Sequence, residues 1–159
     1  MTQEVRDLDR IDREILRVLQ HDASLSQREV ADRVGISQNA CWRRMRSLDA
    51  SGIIKRRTIL LARERLGLGL VVIMMIRTRH HSAEWLRTFR GHVSSIPNVV
   101  DFYRIGGDYD YLAKVVTHDM TSFDAVYRGL IEKVDLQNVT SYFVMEAIEE
   151  QRAISLTHS

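Results

Sequence analysis

The sequence predicts an α+β chain of two domains, a winged helix-turn-helix followed by a ferredoxin-like βαββαβ unit. Three observations carry that prediction. Residues 8–52 hold three apolar patterns of helical period, separated by capping serines and a glycine turn. Residues 68–148 alternate strand-like apolar runs with two helical patterns, in the order β-α-β-β-α-β. Charge is also partitioned: residues 1–60 hold 12 Lys+Arg and 9 Asp+Glu, a balance of +3, while residues 61–159 hold 11 and 12, a balance of −1. The expected division is 1–61 for the first domain, 62–67 for a hinge, 68–148 for the second domain and 149–159 for a polar tail.

In the first domain, Leu8, Ile11, Ile15, Val18 and Leu19 recur at helical spacing, with Asp7 or Asp9 placed to cap the start. The segment "LSQREVADRVGIS" then carries a capping box, Ser26 and Glu29, flanked by the apolar pair Leu25 and Val30. Gly35 supplies a residue that accepts a left-handed turn, Ile36 plugs the corner, and Ser37 caps the third helix. That helix, "QNACWRRMRSLDASG", turns Cys41, Met45 and Leu48 inward and Gln38, Asn39, Trp42, Arg43 and Arg46 outward. The following "IIKRRTILL" reads as a two-stranded wing bearing Lys55, Arg56 and Arg57.

In the second domain the strands are expected over 68–78, 99–105, 109–116 and 139–148. Ser82 caps a helix through Trp85, Leu86, Phe89, Val93 and Ile96, which Pro97 ends. Asp119 caps a second helix through Phe123, Val126, Tyr127, Leu130, Ile131 and Val134. Gly106, Gly107 and Asp108 make the hairpin turn between the middle strands. The first strand is apolar on both faces, whereas both helices of such a unit lie on one face. The uncovered face predicts a homodimer joined sheet to sheet.

Function follows from the pattern of chemistry. Between Ser37 and Arg57 stand Arg43, Arg44, Arg46, Lys55, Arg56 and Arg57 against Asp49 alone. A capped helix, a glycine turn and a second helix with Arg, Asn and Gln outward suit the floor of a DNA groove, and the basic wing suits phosphates. The expected DNA-binding set is Ser37, Gln38, Asn39, Trp42, Arg43, Arg46, Arg56 and Arg57, on double-stranded DNA. A lone cysteine excludes an internal disulfide framework, and Cys41 reads as a small core residue. No nucleophile–base pairing or metal-ligand spacing is present, so neither catalysis, a metal nor a cofactor is expected. No apolar run reaches the ~18 residues of a membrane span, and the first ten residues lack an apolar signal core, so a cytoplasmic protein is expected.

Taken together, "LDRIDREILRVLQHDASLSQREVADRVGIS" and "CWRRMRSLDASGIIKRRTILL" resemble the DNA-binding half of the Lrp/AsnC transcription regulators. "GGDYDYLAKV" and "SYFVMEAI" resemble that family's amino-acid-sensing domain. The resemblance runs from about Leu8 to Ile148. It implies dimers that assemble into tetramers or octamers, and an amino-acid effector bound near the turn after the second strand. Carried onto this sequence, it makes Gly107, Asp108, Tyr109 and Asp110 the ligand turn, with Arg104, Met120 and Tyr142 as candidate walls. Glycine lets backbone amides approach a ligand carboxylate, and the acids accept from its ammonium group. "LGLG", "HHSAEW" and "GDYDYL" resemble the branch that includes regulators of cysteine detoxification, which makes cysteine the first effector expected. The alternative is an architectural DNA-binding protein that needs no effector.

Overall fold

Asp9, Ser26 and Ser37 start the first three helices of the computed structural model, which describes residues 7–156. Expectations that touch residues 1–6 and 157–159 lie outside the described residues. The chain divides into one unit of residues 1–60 with 149–159 and another of residues 61–148.

In the first unit, α1 spans Arg10–His21, α2 spans Gln27–Val34 and α3 spans Gln38–Ala50. Asp9 accepts from the Asp12 amide at 2.8 Å. Ser26 and Glu29 close a reciprocal capping box: the Glu29 carboxylate takes the Ser26 amide at 2.7 Å and Ser26 Oγ takes the Glu29 amide at 3.3 Å. Those bonds from Ser26 hold the Glu29 carboxyl below the usual glutamate value. Gly35 takes φ 75°, where a side chain would strain the backbone, and its amide returns to the Ala31 carbonyl at 2.9 Å. The turn sets α3 against a core of Ile15, Leu16, Val30, Ala31, Cys41 and Leu48.

Two expectations change here. The two-stranded wing is absent as a ladder, because residues 53–61 contain no strand. "IIKRRTILL" has no Gly, Asn, Asp or Pro to reverse the chain, and an isolated strand pair is marginal in water. Instead the Ile54 amide donates to the Leu48 carbonyl at 3.4 Å, and Ile54 packs against the helical core. The chain continues extended, with Ile59, Leu60 and Leu61 exposed. The polar tail, in turn, is no loose appendage. Gln20 grips Ile154 by both ends of its amide: Nε2 donates to the Ile154 carbonyl at 3.1 Å, and Oε1 accepts from the Ile154 amide at 2.8 Å. Leu156 packs against the core of the three helices. The apolar Ile154 and Leu156 were hidden from a composition reading by their polar neighbours.

In the second unit, β1 (Leu70–Arg77), α4 (Ala83–Ser94), β2 (Val99–Arg104), β3 (Tyr111–Thr117), α5 (Met120–Ile131) and β4 (Asn138–Phe143) follow a 3-10 turn at Arg63–Leu66. The four strands lie in the order β2-β3-β1-β4, all antiparallel. Register places Val72, Met74 and Ile76 of β1 beside Val115, Ala113 and Tyr111 of β3. That face meets Phe89 and Val93 of α4 and Phe123, Val126 and Leu130 of α5 in one buried cluster. Phe89 stacks on Trp85 and meets Phe102 and Tyr111 edge-on.

The opposite face carries Val71, Ile73 and Met75, with Leu112 and Val116 of β3 beside them. Val71 is buried and Ile73 and Met75 are half-buried, while Tyr103 and Tyr142 at the outer strands are about half exposed. β4 is shorter than its apolar run suggests. β1 starts at Leu70, so the last bond it can take is from the Val144 amide to the Val71 carbonyl, at 3.0 Å. Beyond it Met145 and Ile148 are exposed.

Candidate functional site

α3 sorts its side chains by what restrains them. Cys41 and Leu48 are fully buried, and Cys41 Sγ lies 3.6 Å from Met45 Sδ. Burial pushes the Cys41 thiol up from its usual value, as a core residue rather than a reactive one. Ser37 caps the helix by accepting from the Ala40 amide at 3.3 Å, and Gln27 of α2 donates to the Gln38 carbonyl at 2.9 Å. These two bonds fix the end of α3 where Gln38 and Asn39 stand exposed.

The arginines of the basic block are not equivalent. Arg44 turns toward α1 and is clamped by Asp9 at 2.6 Å and Asp12 at 2.8 Å. Asp12 is 4% exposed, so this arginine neutralises a buried carboxylate and is removed from the expected phosphate footprint. The two carboxylates raise the Arg44 guanidinium above its usual value, while the Asp12 amide and Arg44 together lower Asp9. Arg57 is held by Asp49 at 3.0 Å. Arg43, Arg46, Lys55 and Arg56 are exposed, and among the described residues no carboxylate pairs with them. Trp42 stands between them, 48% exposed, with the Arg46 guanidinium carbon 5.2 Å from its ring centroid.

At the other candidate site, the hairpin between β2 and β3 is closed by the Ile105 amide on the Asp110 carbonyl and by the Asp110 amide on the Ile76 carbonyl, both at 2.9 Å. The Asp110 carboxylate accepts from the Thr78 amide at 2.8 Å, so it anchors the turn to the end of β1. Gly107 takes φ 121°, and a Cβ there would meet nothing within 4 Å, so its requirement is conformational and not one of space. The Asp108 side chain is 97% exposed. Arg77, which sequence reading missed as a member of this site, bonds the Asp108 carbonyl through Nε at 2.5 Å and lies over the Tyr109 ring at 5.7 Å. Tyr109 Oη meets Thr140 Oγ1 at 3.1 Å. The pairing of β1 with β3 puts Arg77 there, and only the sheet order reveals it.

Of the candidate walls, Arg104 closes β2 next to the turn. Tyr142 lies on the open face of β4, opposite Ile73. Met120 begins α5, beyond the far end of β3, six residue steps or about 20 Å of strand from Tyr111. Within one chain, then, the fold gathers Arg104, Gly107, Asp108, Tyr109 and Asp110 with Arg77 and Thr140, and leaves Met120 apart. Among the described residues, no group of three or more His, Cys, Asp or Glu side chains could hold a metal ion, and no helix is long and apolar enough to cross a membrane.

Family profiles match both halves: "Winged helix-turn-helix DNA-binding" over residues 8–55 and "Lrp/AsnC ligand binding domain" over residues 71–154. The glutamate uptake regulatory protein of Zymomonas mobilis is 41% identical, the match covering 96% of this chain and 93% of that protein. A solved AsnC family transcriptional regulator from Agrobacterium tumefaciens is 42% identical with a TM-score of 0.90, covering 94% of this chain and 97% of its own. The Neisseria meningitidis regulator NMB0573, solved as a complex with L-Met, is 30% identical with a TM-score of 0.90, covering 96% of this chain and 99% of its own.

Proposed function

The chain belongs to the Lrp/AsnC family of transcriptional regulators, and from that premise we propose how its residues divide the work. It has the family's helix-turn-helix DNA-binding domain and its amino-acid-binding domain. In our reading α3 enters the major groove of double-stranded DNA, with Gln38, Asn39, Arg43 and Arg46 at base edges, Ser37 at the backbone, and Lys55, Arg56 and Arg57 at phosphates. The observation that carries this is the separation on one helix. Arg44 is spent on Asp9 and Asp12, while Arg43 and Arg46 face solvent without a carboxylate partner among the described residues. A regulator of this kind works where DNA is, in the cytoplasm.

The test is affinity for a duplex that the wild-type chain selects from random sequence. Arg43→Ala and Arg46→Ala are each expected to weaken it by about 1–3 kcal/mol and to relax discrimination at one base position. Arg56→Ala is expected to weaken all sequences alike and to flatten the salt slope by about 1. Unchanged selective binding by both α3 variants would remove α3 from the groove.

For the turn at residues 106–110, we take its ligand to be a free amino acid, with cysteine as the first candidate. The bound L-Met in the Neisseria relative supports the ligand class. Asp108 is the carboxylate free to take an ammonium group, since Asp110 already holds the Thr78 amide. So exposed a turn makes only part of a pocket. Two copies joined through the open sheet face, and further pairs of such dimers, would supply the remaining walls and give Met120 a place in another copy's site. Calorimetry with cysteine, methionine, leucine and glutamate measures this. Asp108→Ala is expected to lower effector affinity ten- to a hundredfold, the roughly 1.5–3 kcal/mol of a charge-assisted bond, and to leave effector-free DNA binding intact. If no amino acid binds the wild type, the architectural reading replaces this one.

A further inference from the structure

Trp42 is the largest side chain of α3, and it faces outward in a helix whose Cys41 and Leu48 are fully buried. An indole left 48% exposed beside an unoccupied core position would be wasted burial, yet the inward stripe of α3 is already filled. What the ring does touch is Arg46, one turn on, whose guanidinium carbon lies 5.2 Å from the ring centroid. Helix geometry favours the pair. Side chains lean toward the helix N-terminus, so residue 46 reaches back over residue 42. Three nearby arginines thus have three different restraints. Arg44 is clamped by two carboxylates, Arg43 has no partner among the described residues, and Arg46 has an aromatic platform.

We propose that Trp42 is a positioning residue that holds Arg46 ready to read guanine. The inference rests on α3 being the groove-reading helix, as set out above. A guanidinium has two separable surfaces. Its face is drawn to an indole ring by the ring quadrupole, and its in-plane edge carries the N–H fork. The bidentate contact to O6 and N7 of guanine uses only the edge, so stacking and base reading are compatible in one geometry. A carboxylate would occupy the same edge that the base needs, as Asp9 and Asp12 occupy that of Arg44. An aromatic platform orders Arg46 before DNA arrives without consuming its donors. Arg43, without a platform, must be ordered by the DNA itself.

The test is a double-mutant cycle on the selected duplex and on duplexes with single base changes. It uses Trp42→Ala, Trp42→Phe, Arg46→Ala and the double variant Trp42→Ala/Arg46→Ala in the full chain. Trp42→Ala is expected to lower affinity for the selected duplex about two- to fivefold. It should relax discrimination at the same base position as Arg46→Ala and leave the salt slope unchanged. In the Arg46→Ala background the Trp42 substitution should cost nothing further, and Trp42→Phe should recover most of the loss. An equal loss in both backgrounds would mean that the ring touches DNA directly, and would overturn the proposal. So would full affinity in Trp42→Ala where Arg46→Ala is weakened. If Arg46→Ala and Arg43→Ala both bind as wild type, α3 itself is not the reading helix and the inference falls with that assignment.

Discussion

Arg44→Ala is expected to destabilise the three-helix unit by about 3–5 kcal/mol, a large part of a small domain's stability. The loss comes from what is left behind. Asp12 is 4% exposed on α1 and faces Arg44 at 2.8 Å, so deletion of the guanidinium strands a carboxylate in the interior. Asp9 keeps its bond to the Asp12 amide and remains at the surface. Melting followed by circular dichroism should show an early transition in Arg44→Ala that is absent from Arg43→Ala and Arg46→Ala. DNA binding should fail for every sequence alike, because the fold is lost rather than a contact. The double variant Asp12→Asn/Arg44→Ala should recover part of the stability, since an amide is less costly to bury than an unpaired charge. The clamp also has a pH sense. The Asp9 carboxyl is held below its ordinary value, so its contribution is complete above that value and is lost as pH falls through the lower, folded one. A melting temperature for Arg44→Ala equal to wild type would show that α1 and α3 are held by apolar packing alone.

Adjacent methionines on β1 should give opposite failures. Met74→Asp places a charge at a position with 0% exposure, between Ala113 and Ser141 and beneath the helices. The expected cost is several kcal/mol, enough to unfold residues 61–148. Met75→Asp places the same charge on the open face between Leu112 and Thr140, where the side chain is half-buried. The isolated sheet can hydrate it, and a second copy cannot. Met75→Asp should therefore fold with wild-type secondary structure but sediment at lower mass. A wild-type chain that sediments as a folded monomer at micromolar concentration would remove the sheet-to-sheet dimer from the proposed function. An unchanged melt for Met74→Asp would mean the core can admit water at that point.

Much of this was legible because local chemistry and tertiary demand agree. Ser26 with Glu29, Gly35 and Ser37 each have one structural use, and the fold puts each to it. The apolar spacing of Phe89, Val93, Phe123, Val126 and Leu130 required a sheet face, and β1 with β3 supplied one. What escaped the sequence depended on partners distant along the chain. Arg44 read as one more basic residue because Asp9 and Asp12 lie 35 and 32 positions away. Asp110 read as a ligand acceptor, yet its carboxylate also holds the Thr78 amide, a bond visible only once β1 and β3 are paired. Arg77 joined the turn for the same reason. The wing failed differently: alternation suggested strands, but the segment lacks a residue to turn on and a third strand to lean against.

Gln20 and Ile154 stand 134 positions apart, and the bond between them fixes an order of events during synthesis. The helices of residues 7–60 leave the ribosome first, but Ile154 and Leu156 leave almost last. At about 5–20 residues per second, roughly 5–20 seconds separate the two. Throughout that interval the nascent reading helix sits on a unit whose α1 has no strap and whose core lacks Leu156. The finished DNA-binding half is thus a property of the completed polypeptide. A nonsense codon near the 3′ end of the message would injure the half of the protein that was translated first.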